Sequence, residues 1–588
     1  MTPNSHVTKT LEFSDLFDGH PLSNAVDYLK RINKRWLIES IVYMISVDRF
    51  DSFSMKAEHS LLVMFQDYTD RPEVDRLFTK LRTLEKECQY RGVWLTLINH
   101  QALYRLLRRV LVMPNEQKGS GECYESYVSL LKATLVENSI EMERERALLG
   151  KIDENNPEIR DAMIFMQQDI LNLDQFGDNK KELEKAQMFK FLLLCKFGEE
   201  HKEVGAAIKR IVNRYGFSNR YEYMLLANMP LALYHDKSHF GEGLIYICED
   251  DFKRRGGMRL WLGFVSFVSK KCLDVWDVEK MASVFTEKEL LDNTCFRKYP
   301  VLKMSDAEYL IVSQAYYSHL FYDGFWWDVK TELSKSMSDN AVMDLLTREF
   351  SEKILFKNVL SWMKGDRRIR LYNEYCFPSQ QSAPDLALLT RHQLFMFEYK
   401  DMRVDRRVSD GNDMNTVMEF IDNRLNKTKG ILGGNKGLPQ LIRNMEDYFS
   451  GKTPWEGISK RRSVKVYPVI VVHNRLFGVR GINYIMQEKM RHRIMESEVL
   501  REHVAEIGEL LVVDMDMMIL VSAKSNGSFT LFHQAIFGFQ THIKNGIGIY
   551  DKYDSFRNCV MNKWASEKSE KSDRKFKKGY KALVKRMV

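Results

Sequence analysis

Residues 384–400 read PDLALLTRHQLFMFEYK and carry the most informative pattern in the chain. Two short apolar runs, Leu386–Leu389 and Leu394–Phe397, flank a polar break at Thr390–Gln393. Short runs rich in Leu, Phe and Met on either side of such a break predict two strands joined by a turn. The Asn-Gly pair that is favoured in tight hairpins is missing from the break. The prediction therefore depends on the two runs rather than on the turn.

The register of this hairpin decides which of its charged side chains meet. If the turn is centred between Arg391 and His392, Asp385 faces Glu398 across the two strands. Lys400 lies two residues beyond Glu398 and shares its face, because side chains alternate along a strand. Burying charges without partners costs several kcal/mol. Two carboxylates and an ammonium at one end of an otherwise apolar hairpin therefore predict a site for a divalent metal ion.

The spacing of these residues resembles that of a known family. Pro384-Asp385, twelve intervening residues, and then Glu398-Tyr399-Lys400 resemble the PD-(D/E)XK nuclease superfamily, which includes restriction, recombination and DNA-repair nucleases. The resemblance covers roughly residues 340–550. It implies an α+β restriction-endonuclease-like domain of αβββαβ order, with a small mixed sheet flanked by helices. The alternative is a surface hairpin that carries an ordinary Glu–Lys pair.

The resemblance also implies roles for the site residues. Asp385 and Glu398 are expected to bind Mg²⁺ or Mn²⁺, which prefer hard carboxylate oxygens, and the Tyr399 carbonyl is the expected third ligand. Lys400 is expected to orient the attacking water and to stabilise the developing charge rather than to act as a base. Its neighbouring carboxylates raise the pKa of a lysine, whereas a base needs a lowered one.

Two further helices are expected to contribute to this site. The helix predicted over 342–363 precedes the first strand, and in the family it often supplies another carboxylate. Glu352 is the preferred candidate and Glu349, one turn earlier, remains an alternative. A helix that opens near Pro439 follows the hairpin, and there Lys436 and Gln440 match the position of a polar family residue.

Three other segments predict strands and helices of the same domain. Arg370–Phe377 is predicted to be the first strand, and 416–425 a helix. Val464–Val472 reads VKVYPVIVV, a strand whose internal proline predicts an edge or a bulge. Glu509–Val521 predicts a strand that runs into a short helix. Their order is compatible with the expected αβββαβ core.

The remainder of the chain is divided by its periodicity and charge. With 588 residues, two to four domains are expected. Residues 1–335 are predicted to be mainly helical, with sub-boundaries near 114–121 and 150–157, and to act as a sensor or a partner-docking region. The nuclease-like domain is expected over 340–555, followed by a basic tail over 556–588.

The basic tail carries most of the net charge. Lys563–Val588 contains ten Lys or Arg and three Asp or Glu, a net +7 out of the +8 of the whole chain. A solvated, partly disordered tail and an arm that binds phosphates are both compatible with this composition. Phe576 and Tyr580 interleave with the lysines, which suits either stacking on bases or packing as a helix.

Composition and motifs exclude several classes of function. The sequence contains no apolar run of about 18 residues, so no membrane span is predicted. We identify no secretory signal, and the eight cysteines form no Cys-x-x-Cys pair. We therefore expect a reducing cytoplasmic setting. His235 and His239 have the spacing of helical metal ligands but lie in a loop-like segment. No phosphate-binding P-loop is found, so an ATPase would have to be supplied by a partner protein.

These observations predict a Mg²⁺-dependent nuclease that hydrolyses phosphodiester bonds. DNA is the more strongly expected substrate, and RNA the less expected one. By analogy with the family, the endonuclease is expected to act in bacterial or mobile-element defence, of an antiviral or restriction type. The alternative is a catalytically silent nucleic-acid-binding or scaffold protein built on a nuclease-like fold. A protein partner and self-association into a homo-oligomer are left open.

Overall fold

The structure is a computed structural model. It describes residues 7–46, 56–90, 93–114, 121–171, 180–225, 244–255, 257–284, 294–363, 369–373, 383–402, 404, 408, 413–427, 437–452, 464–546, 551–566 and 570–587. The chain forms two compact units. The first comprises residues 1–150, 174–180 and 209–325, and the second comprises residues 151–173, 181–208 and 326–588.

Helices make up most of both units. The described α-helices, in chain order, are α1 (Phe13–Leu16), α2 (Lys34–Ser46), α3 (Ala57–Met64), α4 (Pro72–Gln89), α5 (His100–Leu111), α6 (Tyr124–Leu149), α7 (Pro157–Leu171), α8 (Lys180–Glu200), α9 (Lys202–Arg214), α10 (Glu249–Arg255), α11 (Met258–Val268), α12 (Val278–Val284), α13 (Thr294–Lys298), α14 (Gln314–His319), α15 (Phe325–Leu333), α16 (Asp339–Met343), α17 (Lys357–Met363), α18 (Met414–Ile421), α19 (Leu438–Phe449), α20 (Ile482–Glu496), α21 (Glu498–Glu502), α22 (Met515–Ser525), α23 (Phe529–Asn545), α24 (Phe556–Ser566) and α25 (Glu570–Met587). Among the described helices, none combines the length and the apolar run that crossing a bilayer requires.

The strands form three sheets. They are β1 (Val7–Thr10), β2 (Val93–Thr96), β3 (Tyr246–Cys248), β4 (Cys272–Asp274), β5 (Val301–Ser305), β6 (Glu308–Ile311), β7 (Arg370–Asn373), β8 (Leu386–Leu389), β9 (Gln393–Lys400), β10 (Lys465–Val472) and β11 (Leu511–Asp514). The mixed α+β class predicted from the sequence is therefore confirmed at this coarse level.

The first unit is mainly helical, as predicted, but it also contains two small sheets. β1 pairs with β2 in parallel, and a second sheet has the order β3-β6-β5-β4. The strands of this second sheet are only three to five residues long. Such short runs produce no periodicity that distinguishes them from helix ends, so the sequence did not predict these sheets.

The second unit is built on a five-stranded mixed sheet of order β11-β10-β9-β8-β7. β7, β8 and β9 pair antiparallel, whereas β9, β10 and β11 pair in parallel. Helices α18 and α19 connect β9 to β10, and α20 and α21 connect β10 to β11, as parallel pairing requires. The carboxyl ends of β9, β10 and β11 and the start of β8 therefore lie at one edge of the sheet.

The proline in β10 occupies an interior strand, so one of the two alternatives predicted for it, an edge strand, is wrong. Pro468 pairs in register with Met396 of β9. On the other side, Val466 bridges Ile507 but Val469 pairs with Leu511, which leaves one extra residue on the partner segment. This bulge lies opposite the proline, where no ladder hydrogen bond from its nitrogen is needed.

The helix predicted over 342–363 is present but irregular. α16 and α17 are joined by a π-helical segment, Asp344–Phe356, so the helical stretch is continuous from 339 to 363. Ser351 Oγ donates a hydrogen bond to the Leu346 carbonyl, five residues earlier, at 2.9 Å. π-Helical turns are rare and often occur at functional sites.

Buried ion pairs attach distant helices to the edge of the main sheet. Arg480, just after β10, binds the fully buried Asp169 of α7 through its backbone and side chain. Lys190 of α8 pairs with Asp516 at 2.7 Å. These contacts explain why residues 151–173 and 181–208 belong to the second unit, although the sequence placed them within the predicted 1–335 region.

The basic tail is folded over most of its length. α25 packs on α22 through its apolar face, with Phe576 and Leu583 buried, and Tyr580 Oη donates a hydrogen bond to the Lys185 carbonyl at 2.9 Å. At Gly579 an added Cβ would lie 1.9 Å from the Ala523 carbonyl oxygen, so only glycine permits this close approach. Of the alternatives for the aromatic residues, packing as a helix is observed.

Candidate active site

The hairpin that carries the site has the predicted register. Leu386 pairs with Phe397 and Leu389 with Leu394, which centres the turn between residues 391 and 392. The next position before β8 is Asp385, so its partner across the hairpin is Glu398. The prediction succeeded because the apolar runs of the two strands are symmetric about their polar break.

Asp385 is held against the neighbouring strand by a backbone hydrogen bond. Its Oδ2 accepts the N–H of Tyr399 at 2.7 Å. Because the N–H and C=O of one strand residue point to the same side, the Tyr399 carbonyl also faces the side of Asp385. The carboxylate and the carbonyl that were predicted as metal ligands thus lie on one side of β9, just before the start of β8.

Glu398 is completely buried. Its exposed fraction is 0 %, and its Oε2 has no hydrogen-bond partner in the described part of the chain. Burial raises the pKa of Glu398 well above its usual range, the negative charge of Asp385 raises it further, and Lys400 offsets only part of both effects. A buried carboxylate with an orphaned oxygen is costly unless another cation approaches it.

Lys400 is paired directly with Glu398. Its Nζ donates a hydrogen bond to Glu398 Oε1, and 21 % of its side chain remains exposed. Burial alone would lower the pKa of Lys400, but the carboxylates of Glu398 and Asp385 outweigh burial and raise it. The side chain is therefore an ammonium at neutral pH and cannot act as a base without losing these partners.

Of the two candidate helix carboxylates, only Glu352 is electrostatically coupled to the hairpin. Its charge contributes to raising the pKa of both Glu398 and Lys400. Four residues later, the Phe356 ring stacks on Tyr399 with centroids 4.9 Å apart, which fixes this turn against β9. Glu349 instead forms an ion pair with Lys353 at 2.8 Å. The structure thus favours Glu352.

The candidates on the following helix are less closely tied to the site. Gln440 lies in the first turn of α19 with its backbone N–H bonded to the Gly437 carbonyl at 3.1 Å, and its half-buried side chain forms no hydrogen bond with a described residue. Lys436 lies outside the described residues, as do His235 and His239. The role predicted for Gln440 stays a prediction.

A buried polar group supports the site from the opposite face of β9, and the sequence did not predict it. Tyr399 Oη and His473 Nδ1 are 2.7 Å apart, and the same nitrogen lies 3.8 Å from Asp401 Oδ2. His473 also donates its backbone N–H to the Lys400 carbonyl. The signal for this group was available, since His473 directly follows β10 and parallel strands end at a common edge.

The candidate ligand set is small. Within the described ranges, no three or more His, Cys, Asp or Glu side chains are grouped closely enough to hold a metal ion. The set therefore consists of the two carboxylates of Asp385 and Glu398 and the Tyr399 carbonyl. Oxygen donors of this kind suit Mg²⁺ or Mn²⁺, and the orphaned Oε2 of Glu398 fits the approach of a cation.

Comparison with known proteins adds no relative. No protein-family model matches the chain, and no match is found among curated proteins or among solved structures. The function proposed below is therefore inferred from the geometry of the second unit.

Proposed function

We propose that the protein is a metal-dependent nuclease that hydrolyses phosphodiester bonds of nucleic acid, with DNA as the expected substrate. The observation that carries this proposal is the convergence of Asp385, Glu398 and Lys400 at one edge of the main sheet. The order of elements supports it, since a helix precedes β7, β8 and β9, and a helical crossover leads to the parallel β10. A restriction-endonuclease-like domain has this αβββαβ order.

Two carboxylates of the chain would bind the metal ion. Asp385 and Glu398 would hold Mg²⁺ or Mn²⁺, which when bound lowers the pKa of a water ligand and polarises a phosphoryl oxygen. Glu398 must give up its proton to serve as a ligand, because its buried carboxyl has a raised pKa. Asp385 is positioned for this role by the Tyr399 N–H.

Lys400 would stabilise charge rather than abstract a proton. Its raised pKa keeps the ammonium protonated throughout the neutral range, and its partial exposure leaves room for a phosphate oxygen beside it. A fixed ammonium at this place neutralises negative charge as it develops on the phosphorane. The hydrogen bond that its Nζ donates to Glu398 Oε1 also holds it in place before substrate binds.

A second candidate function has one observation in its favour. The ion pair between Lys400 and Glu398 already compensates one oxygen of the buried carboxylate without any metal ion. A nucleic-acid-binding or scaffold protein on a nuclease-like fold would retain such a pair for stability alone. This candidate predicts salt-sensitive binding of nucleic acid without cleavage.

Cleavage in the presence and absence of metal separates the two candidates. Purified full-length protein is incubated with supercoiled plasmid, linear duplex DNA and single-stranded RNA, each with Mg²⁺ or with EDTA. The nuclease proposal predicts Mg²⁺-dependent cleavage that is lost in Asp385→Ala. Cleavage by Asp385→Ala at the wild-type rate would contradict the assignment of the site.

A further inference from the structure

The outer face of α25 carries a stripe of lysines. Lys577, Lys578, Lys581 and Lys585 are all exposed and lie within an arc of roughly 100° of the helix. None of the four forms an ion pair with a described residue, whereas lysines elsewhere in the chain commonly do. We refer to these four residues as the basic stripe. Their charges are displayed to solvent with no described carboxylate to neutralise them.

The opposite face of the same helix is anchored in the protein. Phe576 and Leu583 are buried, Lys185 Nζ lies 4.4 Å from the centroid of the Phe576 ring, and Tyr580 is bonded to the Lys185 carbonyl. A basic amphipathic helix binds a membrane by inserting its apolar face. Here that face is already packed against α22, which leaves only the charged face to make contacts.

From this arrangement we infer that the basic stripe is a phosphate-binding surface for duplex DNA, separate from the residues of the candidate active site. The choice of ligand rests on the proposed nuclease function. The four lysines extend over nine residues, and the eight steps from the first to the last span about 12 Å of helix. One DNA strand presents a phosphate about every 3.4 Å of axis, so about four phosphates face this length. The number of charges on the two surfaces therefore matches.

An anchored stripe differs in its consequences from a flexible arm. Because α25 is held by the close approach at Gly579, the lysines lose little backbone entropy when DNA binds. Phosphate contacts carry no base information, so the stripe contributes affinity and orientation without sequence preference. It would hold the substrate on the second unit while the hairpin acts on it.

Salt dependence of binding measures this contribution directly. Full-length protein is titrated into a fluorescein-labelled duplex in EDTA, by anisotropy, at NaCl concentrations between about 50 and about 200 mM. Four neutralised phosphates contribute about 3.6 to the slope of log K against log salt, equivalent to roughly 100-fold in affinity over this range. Changing all four stripe lysines to Gln should remove this part of the slope, whereas changing all four to Arg should retain it.

A matched variant controls for the loss of net charge. Four other exposed lysines form no ion pair with a described residue and are scattered over the surface: Lys86, Lys202, Lys270 and Lys544. Changing these four to Gln alters the charge equally and should leave most of the slope intact. Glutamine has a helix propensity close to that of lysine, and thermal unfolding of each variant verifies that the fold is kept.

Each result has a defined meaning. Equal slopes for the wild type and the stripe variant, equal losses in the stripe and control variants, or no binding of duplex by the wild type would overturn the inference. The inference would also be overturned if the stripe variant lost binding to phosphatidylserine vesicles but bound duplex DNA as the wild type does. Because binding is measured in EDTA, a wild type that binds through the stripe but never cleaves with Mg²⁺ would contradict the proposed nuclease function and leave the stripe standing.

Discussion

The buried carboxyl of Glu398 predicts that metal binding depends steeply on pH. Burial and the charge of Asp385 raise the pKa of Glu398 well above its usual range, and a protonated carboxyl cannot coordinate a cation. Each metal ion that binds below this pKa must therefore displace one proton. The apparent association constant for Mn²⁺ should rise about tenfold per pH unit until the pKa is passed and then become constant.

The assay is isothermal titration calorimetry with MnCl₂ in buffers of different ionisation enthalpy, which yields the number of protons released per ion. Glu352→Gln removes one of the charges that raise the pKa of Glu398, so the break in the pH profile should move slightly to lower pH. Glu349→Gln on the same helix removes a carboxylate that pairs with Lys353 and serves as the matched control. A pH-independent affinity with no proton release would refute the reasoning.

The same pKa shift predicts an effect on stability. A carboxyl whose pKa is higher in the folded than in the unfolded protein destabilises the fold as pH rises from the unfolded value through the folded one. In metal-free protein the cost is about 1.4 kcal/mol for each unit of the shift. Glu398→Gln should therefore flatten the decline of the unfolding free energy above pH 4.5, measured by urea denaturation. A parallel decline in wild type and variant would show that another group titrates.

Two further substitutions test the packing of the second unit. Arg480→Ala leaves Asp169 buried without its partner and should cost roughly 3–5 kcal/mol in urea denaturation; a cost under about 1 kcal/mol would mean that water reaches the carboxylate. Gly579→Ala places a Cβ against the Ala523 carbonyl and should destabilise by roughly 1–3 kcal/mol. Gly538→Ala, in a helix with open space around the site, should instead stabilise by roughly 0.5–1 kcal/mol, and equal effects at the two glycines would contradict the close approach.

Local patterns predicted the hairpin and the strands that follow it. The register of β8 and β9 could be predicted because their apolar runs are symmetric about the polar break, although both faces of these strands are buried. The proline in VKVYPVIVV indicated an irregularity, and the bulge opposite Pro468 is that irregularity. The order of these strands was therefore predicted without any structure, whereas the helices α20, α21 and α23 were not predicted.

Contacts between segments that are far apart in the sequence could not be predicted from it. The Asp169–Arg480 and Lys190–Asp516 pairs join residues more than 300 positions apart, and no single-sequence pattern distinguishes them from solvated charges. The contact of the Tyr399 hydroxyl with His473, and the nearby Asp401, were not predicted either, although the position of His473 directly after β10 was a signal for them. Membership of 151–173 and 181–208 in the second unit follows from such pairs rather than from periodicity.

Cleavage of nucleic acid by wild-type protein and by Lys400→Ala, side by side, tests the central claim most directly. Supercoiled plasmid, linear duplex and single-stranded RNA are incubated with each protein in Mg²⁺, and folding of the variant is verified by circular dichroism. Our account predicts Mg²⁺-dependent cleavage of DNA by the wild type and none by folded Lys400→Ala. Equal metal-dependent cleavage by both proteins would contradict the role of this site.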